Sequence, residues 1–108
     1  MDAMIEPEDF RTRAIRLFQG VADATISETE FWPEMDRLSH EVDDPVIAIA
    51  YEEAHHYWGN FHERNILLMR TRPKPTFVAQ GRELFRMLAR ALQERWPEER
   101  VQKAIKEI

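Results

Sequence analysis

Four residues in the middle of the chain have the types and the spacing of metal ligands. Glu52, His55 and His56 lie close together, and His62 follows six residues later. On a helix, side chains three or four residues apart are surface neighbours, so Glu52 can pair with either His55 or His56. Histidine nitrogens and carboxylate oxygens are common ligands of zinc and iron. These four residues therefore predict a divalent-metal site as one of two functional alternatives.

The segment Glu52-Glu53-Ala54-His55-His56 contains the pattern Glu-x-x-His twice, in overlapping register. It resembles the motif of ferritin-like di-iron proteins, in which two helices each carry one such motif and two further helices each supply a glutamate. This chain has the motif on one helix only, so the resemblance implies that a symmetric dimer would supply the second motif. Glu30, Glu34 or Glu41 would then supply the remaining carboxylates.

A second set of residues on the same predicted helix resembles a contact line. His55, Gly59 and His62 are spaced by four and three residues, as in a heptad seam. A glycine inside a helix costs about 1 kcal/mol relative to alanine. This cost indicates that another helix, a second subunit or a ligand approaches the backbone at Gly59, with a tolerated surface glycine as the alternative. We therefore predict a self-association or ligand groove along these three residues.

Two charged surfaces are predicted to bind a partner protein. The first combines aromatic and acidic residues, because aromatic side chains surrounded by charge make good interface anchors. The second is a stripe of arginines at four-residue spacing, which suits contacts with carboxylate or phosphate groups, with a solvated face as the alternative. The acidic aromatic set comprises Phe31, Trp32, Glu34 and Asp36, and the arginine stripe comprises Arg82, Arg86 and Arg90.

Charge is divided unevenly along the chain. Residues 1–68 hold five Arg and Lys against fifteen Asp and Glu, whereas residues 69–108 hold ten against five. The two parts thus carry formal charges of −10 and +5, within a net charge of −5. Such opposed parts can attract each other within the fold, mediate head-to-tail self-association or face different partners. The overall acidity argues against nucleic acid as the partner.

Composition and motifs exclude several classes of function. The chain has no cysteine, which excludes disulfides, thiolate metal sites and cysteine nucleophiles. It contains no Gly-rich phosphate loop, no His-Glu-x-x-His and no Gly-x-Ser-x-Gly pattern. No apolar run approaches the roughly 20 residues of a membrane span, and the acidic N-terminal segment lacks the pattern of a signal peptide. These features predict a cytoplasmic, non-catalytic protein that forms one domain over residues 1–108.

Helices must position all of these residues, because the sequence has helical periodicity and no sustained strand alternation. We predict an all-α, compact bundle of four to five helices around one long central helix, residues 45–70. Asp44 is predicted to cap this helix and Pro45 to occupy its first turn. One face of the central helix is apolar and is predicted to form the core: Ile47, Ala50, Ala54, Trp58, Phe61 and Leu68.

The other helices are shorter, and glycine, proline and capping residues mark their ends. Gly20 is predicted to end the first helix. Ser27 and Glu30 have the spacing of a capping box, but Pro33 would then fall inside the second helix, so we predict that Pro33 opens it. Thr76 is predicted to cap the fourth helix. Trp-Pro-Glu occurs before both the second and the fifth helix, which we interpret as shared capping chemistry.

These features favour a small acidic, non-catalytic protein-interaction module, such as an adaptor or an inhibitor, immunity or antitoxin-like binder. The expected partner is another protein or a second copy of the chain, with no membrane and no cofactor involved. The alternative is a helical metal-binding protein with the ferritin-like half-motif, in which Glu52, His55, His56 and His62 hold a divalent metal.

Overall fold

Five α-helices run through the part of the chain that the computed structural model describes, residues 7–67 and 75–108, with side chains for residues 10–59 and 78–108. No strand occurs in these residues, so the predicted all-α bundle is confirmed. The central helix is α3, and its predicted last residues, 68–70, lie outside the described residues. The helices are α1 (Pro7–Ala22), α2 (Glu28–Glu41), α3 (Pro45–Leu67), α4 (Pro75–Gln93) and α5 (Glu98–Glu107).

Aromatic rings form the centre of the core, where α1, α2, α3 and α4 meet. The ring of Phe18 lies 5.2 Å from that of Phe31 and 5.5 Å from that of Phe85, and Trp58 lies 5.0 Å from Phe31. Burying a side chain of this size stabilises the fold by about 1.5–3 kcal/mol. The predicted core face of α3 is confirmed at Ile47, Ala50, Ala54 and Trp58, whereas the side chains of Phe61 and Leu68 lie outside the described residues.

The start of α2 corrects the prediction that Pro33 opens this helix. The helix begins at Glu28, and Ser27 and Glu30 form a capping box in which the Glu30 amide donates to Ser27 Oγ at 3.2 Å and the Ser27 amide donates to Glu30 Oε1 at 3.1 Å. Pro33 therefore lies inside α2, where it removes one intrahelical hydrogen bond. The capping box and the complete burial of Phe31 in the added turn offset that loss. Because Pro97 is the N-cap of α5, the two Trp-Pro-Glu segments do not share capping chemistry.

The end of α1 corrects the prediction that Gly20 terminates it. The helix continues to Ala22, and the chain then turns through Ala24, whose φ is 63°. The amide of Thr25 donates to the carbonyl of Gly20 at 2.8 Å, the pattern of a Schellman motif with alanine in the left-handed position. Gly20 is needed for a different reason: a Cβ at this position would overlap the side chain of Ile26.

A partly buried arginine joins the start of α3 to two other helices. The predicted cap is confirmed, since Asp44 Oδ1 accepts from the amide of Val46 at 3.0 Å. Arg11 of α1 donates from Nε and Nη2 to the two oxygens of Asp44, both at 3.0 Å, and from Nη1 to the carbonyl oxygen of Leu92 at 2.7 Å. Only 14% of the Arg11 side chain and 17% of the Asp44 side chain are exposed. One guanidinium thus ties α1 to the first turn of α3 and the last turn of α4.

α4 begins at Pro75, before the predicted cap Thr76, because proline suits a first helical turn. Its buried face carries Gly81, Leu84, Phe85, Leu88 and Leu92. At Gly81 a Cβ would overlap the ring of Tyr57, so this glycine allows α3 and α4 to approach closely. Within the described residues, no helix is both long enough and apolar enough to cross a membrane.

Candidate interaction surface

Three aromatic side chains from α2 and α3 form a stacked group at the surface. The indole of Trp32 stacks on the imidazole of His55, with ring centroids 4.2 Å apart and planes at 29°. The ring of Tyr51 meets both at steep angles, 5.8 Å from Trp32 and 4.7 Å from His55. Trp32 and Tyr51 are partly buried and His55 is exposed. Helical geometry explains the contact between Tyr51 and His55, because these residues are four apart on α3 and so share a face.

Two carboxylates of α2 accept hydrogen bonds from Trp32 and Tyr51. The indole Nε1 of Trp32 donates to Glu28 Oε2 at 3.1 Å, and the hydroxyl of Tyr51 donates to Asp36 Oδ1. The hydrogen bond to Asp36 raises the pKa of Tyr51, as do partial burial and the negative charge of Asp36. The Tyr51 hydroxyl is therefore a protonated donor at neutral pH. We call Glu28, Trp32, Asp36, Tyr51 and His55 the acidic aromatic patch.

The patch is backed by the core. The Trp32 ring lies 5.1 Å from Phe31 and 5.2 Å from Trp58, and both of these residues are buried. Phe31, which the sequence placed among the surface anchors, has no exposed surface and is a core residue. The inner side of the Trp32 ring is thus fixed by packing, while its stacking partner His55 is exposed. Packing and hydrogen bonds thus restrict the rings of Trp32 and Tyr51.

The predicted acidic residues separate in the structure. Asp36 lies in the acidic aromatic patch, whereas Glu34 faces α1, with its Oε1 3.8 Å from Arg13 Nη1. Of the predicted partner-binding residues on α2, the structure therefore brings together Trp32 and Asp36. Tyr51 and Glu28 complete the surface, and neither was among the residues predicted to bind a partner.

The predicted groove along His55, Gly59 and His62 is described only in part. Gly59 is exposed, and a Cβ at this position would meet no described atom within 4 Å beyond its chain neighbours and the backbone of its own helical turns. The described part of this chain therefore does not approach the backbone there, and His62 lies outside the described side chains. The groove adjoins the acidic aromatic patch, because His55 belongs to both.

The predicted metal ligands have other neighbours. Glu52 is exposed, His55 stacks on Trp32, and His56 Nδ1 lies 3.3 Å from Glu53 Oε2 with 65% of the His56 side chain exposed. No group of three or more His, Asp or Glu residues among the described side chains could hold a metal ion. His62 is outside that part of the chain. The described residues thus supply pairs of potential ligands and no larger cluster.

The arginine stripe lies along the exposed side of α4. All three of its side chains are exposed, and Arg90 Nε donates to Glu94 Oε2 at 2.8 Å. This hydrogen bond, together with one from the Trp96 indole, lowers the pKa of Glu94. Arg82 and Arg86 form no ion pair with any described side chain. Among the described side chains, no carboxylate thus occupies these two guanidinium groups, which suits them to bind a carboxylate of another molecule.

Comparison of the chain with protein-family models, curated proteins and solved structures finds no match. The acidic aromatic patch is consequently interpreted from its own geometry. That geometry combines a rigid aromatic surface, two oriented carboxylates and an exposed imidazole, and it offers binding contacts.

Proposed function

We propose that this protein is a small acidic, non-catalytic interaction module that binds a partner protein through the acidic aromatic patch. The observation that supports this most strongly is the stack of Trp32 on the exposed His55. Beside it, the Trp32 indole N–H donates to Glu28 and the Tyr51 hydroxyl donates to Asp36. Such a module would be an adaptor or an inhibitor, immunity or antitoxin-like binder, located in the cytoplasm. In this proposal the protein binds a partner and catalyses no reaction.

Rigid aromatic surfaces favour binding for an energetic reason. Immobilising a flexible side chain on association costs about 0.5–1.5 kcal/mol, and the rings of the patch are already held by packing and hydrogen bonds. Tryptophan and tyrosine also combine a large apolar face with a polar atom, which is why they dominate interface hot spots. Trp32 and Tyr51 therefore supply the contact area at low entropic cost.

The carboxylates of the patch determine the charge of the partner. Glu28 and Asp36 lie on either side of Trp32 along α2, and Glu52 is exposed on α3. Complementary charge across an interface directs association and excludes like-charged partners. A guanidinium group can pair with such carboxylates and also stack on an indole. The partner surface is thus expected to be basic and rich in arginine.

Two adjacent histidines provide a matched test of this proposal. His55 and His56 are both exposed on α3, but only His55 stacks on Trp32. We expect His55→Ala to weaken capture of the partner from the native host about tenfold, a loss of about 1.4 kcal/mol, whereas His56→Ala leaves capture unchanged. The measurement is quantitative affinity capture of the same protein with wild type and both variants. Equal capture by all three chains would contradict the proposal.

A further inference from the structure

The residues of the patch on α2 and the arginine stripe on α4 have the same spacing. Glu28, Trp32 and Asp36 recur every four residues on α2, and so do the three arginines of the stripe on α4. At 1.5 Å of rise per residue, each set extends about 12 Å along its helix, with steps of about 6 Å. When the two helices are side by side, one guanidinium can therefore lie opposite each of Glu28, Trp32 and Asp36.

The chemistry of the two sets is complementary at each step. The outer members of the α2 set are carboxylates, which arginine binds with two parallel hydrogen bonds. The middle member is Trp32, which is stacked on the exposed ring of His55, and Arg86 is the middle member of the stripe, so its guanidinium can lie against this pair of rings. Arg90 already pairs with Glu94, but 64% of its side chain is exposed, and such surface pairs cost little to exchange.

From this match we infer that the partner of the acidic aromatic patch is a second copy of the same chain, which presents the arginine stripe of its α4. The inference rests on the proposed function and names the partner for that site. The charge division of the chain supports it, because the patch lies in the part with a formal charge of −10 and the stripe in the part with +5. Each chain carries both the patch and the stripe, so two copies attract each other.

The position of the two surfaces favours a closed dimer. Glu28 at the start of the patch and Arg82 at the start of the stripe line the same open groove, of about 380 Å³. The two surfaces therefore begin next to each other on the molecule. A two-fold axis can then place each patch on the stripe of the other copy at the same time, an isologous contact that closes on itself.

Charge reversal at one position in each surface tests the dimer. In sedimentation equilibrium at low salt, we expect wild type to dimerise. Asp36→Arg alone should weaken dimerisation at least about tenfold, because like charges then face each other, and so should Arg82→Glu or Arg90→Glu, one of which lies opposite Asp36 in either direction of the stripe. An equimolar mixture of Asp36→Arg with either Arg82→Glu or Arg90→Glu should recover dimerisation for the arginine that lies opposite Asp36, since each mixed contact then pairs opposite charges again. Added salt should weaken the wild-type dimer because it screens exposed charges.

Matched controls separate this result from a general charge effect. Glu41→Arg changes the net charge as Asp36→Arg does, on α2 outside the patch. Lys103→Glu, on α5, changes the net charge as Arg82→Glu or Arg90→Glu does. Both should dimerise like wild type, and thermal unfolding should show that every variant is folded. Failure of both mixtures to recover dimerisation, or a wild type that is monomeric at high concentration, overturns the inference. If the dimer is overturned and His55→Ala still weakens capture of a different protein about tenfold, the proposed function stands without the dimer. If capture of that protein is unchanged as well, both fail.

Discussion

At the scale of single residues, Gly59 is unusual because it is an exposed glycine inside the long helix α3. Alanine is favoured over glycine by about 1 kcal/mol at such a position. The described residues leave open space where a Cβ would lie, so nothing in that part of the chain requires glycine. The residue either is tolerated at the surface or serves a partner that approaches the helix.

We predict that Gly59→Ala raises the free energy of unfolding by up to about 1 kcal/mol, because alanine restricts the unfolded chain and meets no neighbour in the described structure. Urea denaturation of wild type and variant measures the difference. A variant less stable than wild type would mean that the Cβ meets a part of the chain outside the described residues. The same variant, tested for dimerisation, shows whether the predicted groove contributes to self-association.

Residue spacing alone predicts part of the acidic aromatic patch. The four-residue separations of Tyr51 from His55 and of Glu28 from Trp32 are visible in the sequence. The spacing of Glu28 and Trp32 has no meaning if Pro33 opens α2, because both residues then lie outside the helix. The stacking of Trp32 on His55 could not be predicted, since it depends on how α2 and α3 are oriented relative to each other.

At the scale of helices, Arg11 connects elements that are distant in sequence. It contacts Asp44, the cap of α3, and the carbonyl oxygen of Leu92 at the end of α4. Periodicity places Arg11 off the apolar stripe of α1, which is why its contacts were not predicted. A side chain that lies off the core face can still be partly buried when the ends of two other helices converge on it.

We predict that Arg11→Met lowers the free energy of unfolding by about 2–3 kcal/mol, because it leaves the partly buried Asp44 without its charged partner. The control is Arg13→Met on the same helix, whose pair with Glu34 is 3.8 Å long and 38% exposed on each side. That change should cost less than about 1 kcal/mol. Urea denaturation of both variants measures the two losses, and equal losses would contradict the role given to Arg11.

The fold was predictable where local signals agreed with each other. The cap at Asp44, the proline after it and the apolar face of α3 all indicate one long helix, and the structure confirms its start and its core face. Signals that compete are harder to weigh, as at Pro33, where the capping box prevails over the cost of an internal proline. The sequence does not indicate that α1 ends at Ala22, because Ala24 adopts a left-handed conformation that is typical of glycine.

At the scale of the whole molecule, charge is divided between two surfaces on a bundle with an aromatic core. The acidic aromatic patch lies on α2 and α3, and the exposed arginine stripe lies on α4. The sequence predicts this division, because the charges of its two parts differ in sign. Which residues of each part are exposed, and which are paired within the chain, depends on packing and required the structure.

The central claim is that the acidic aromatic patch is the binding surface, and the indole N–H signals of ¹⁵N-labelled protein test it most directly. The chain has three tryptophans, of which Trp58 is buried in the core and serves as the internal control. On saturation with the captured partner, or on concentration into the dimer, the signal of Trp32 should shift more than that of Trp58, whose ring lies 5.2 Å away but is buried. Saturated binding with an unmoved Trp32 signal would contradict the account.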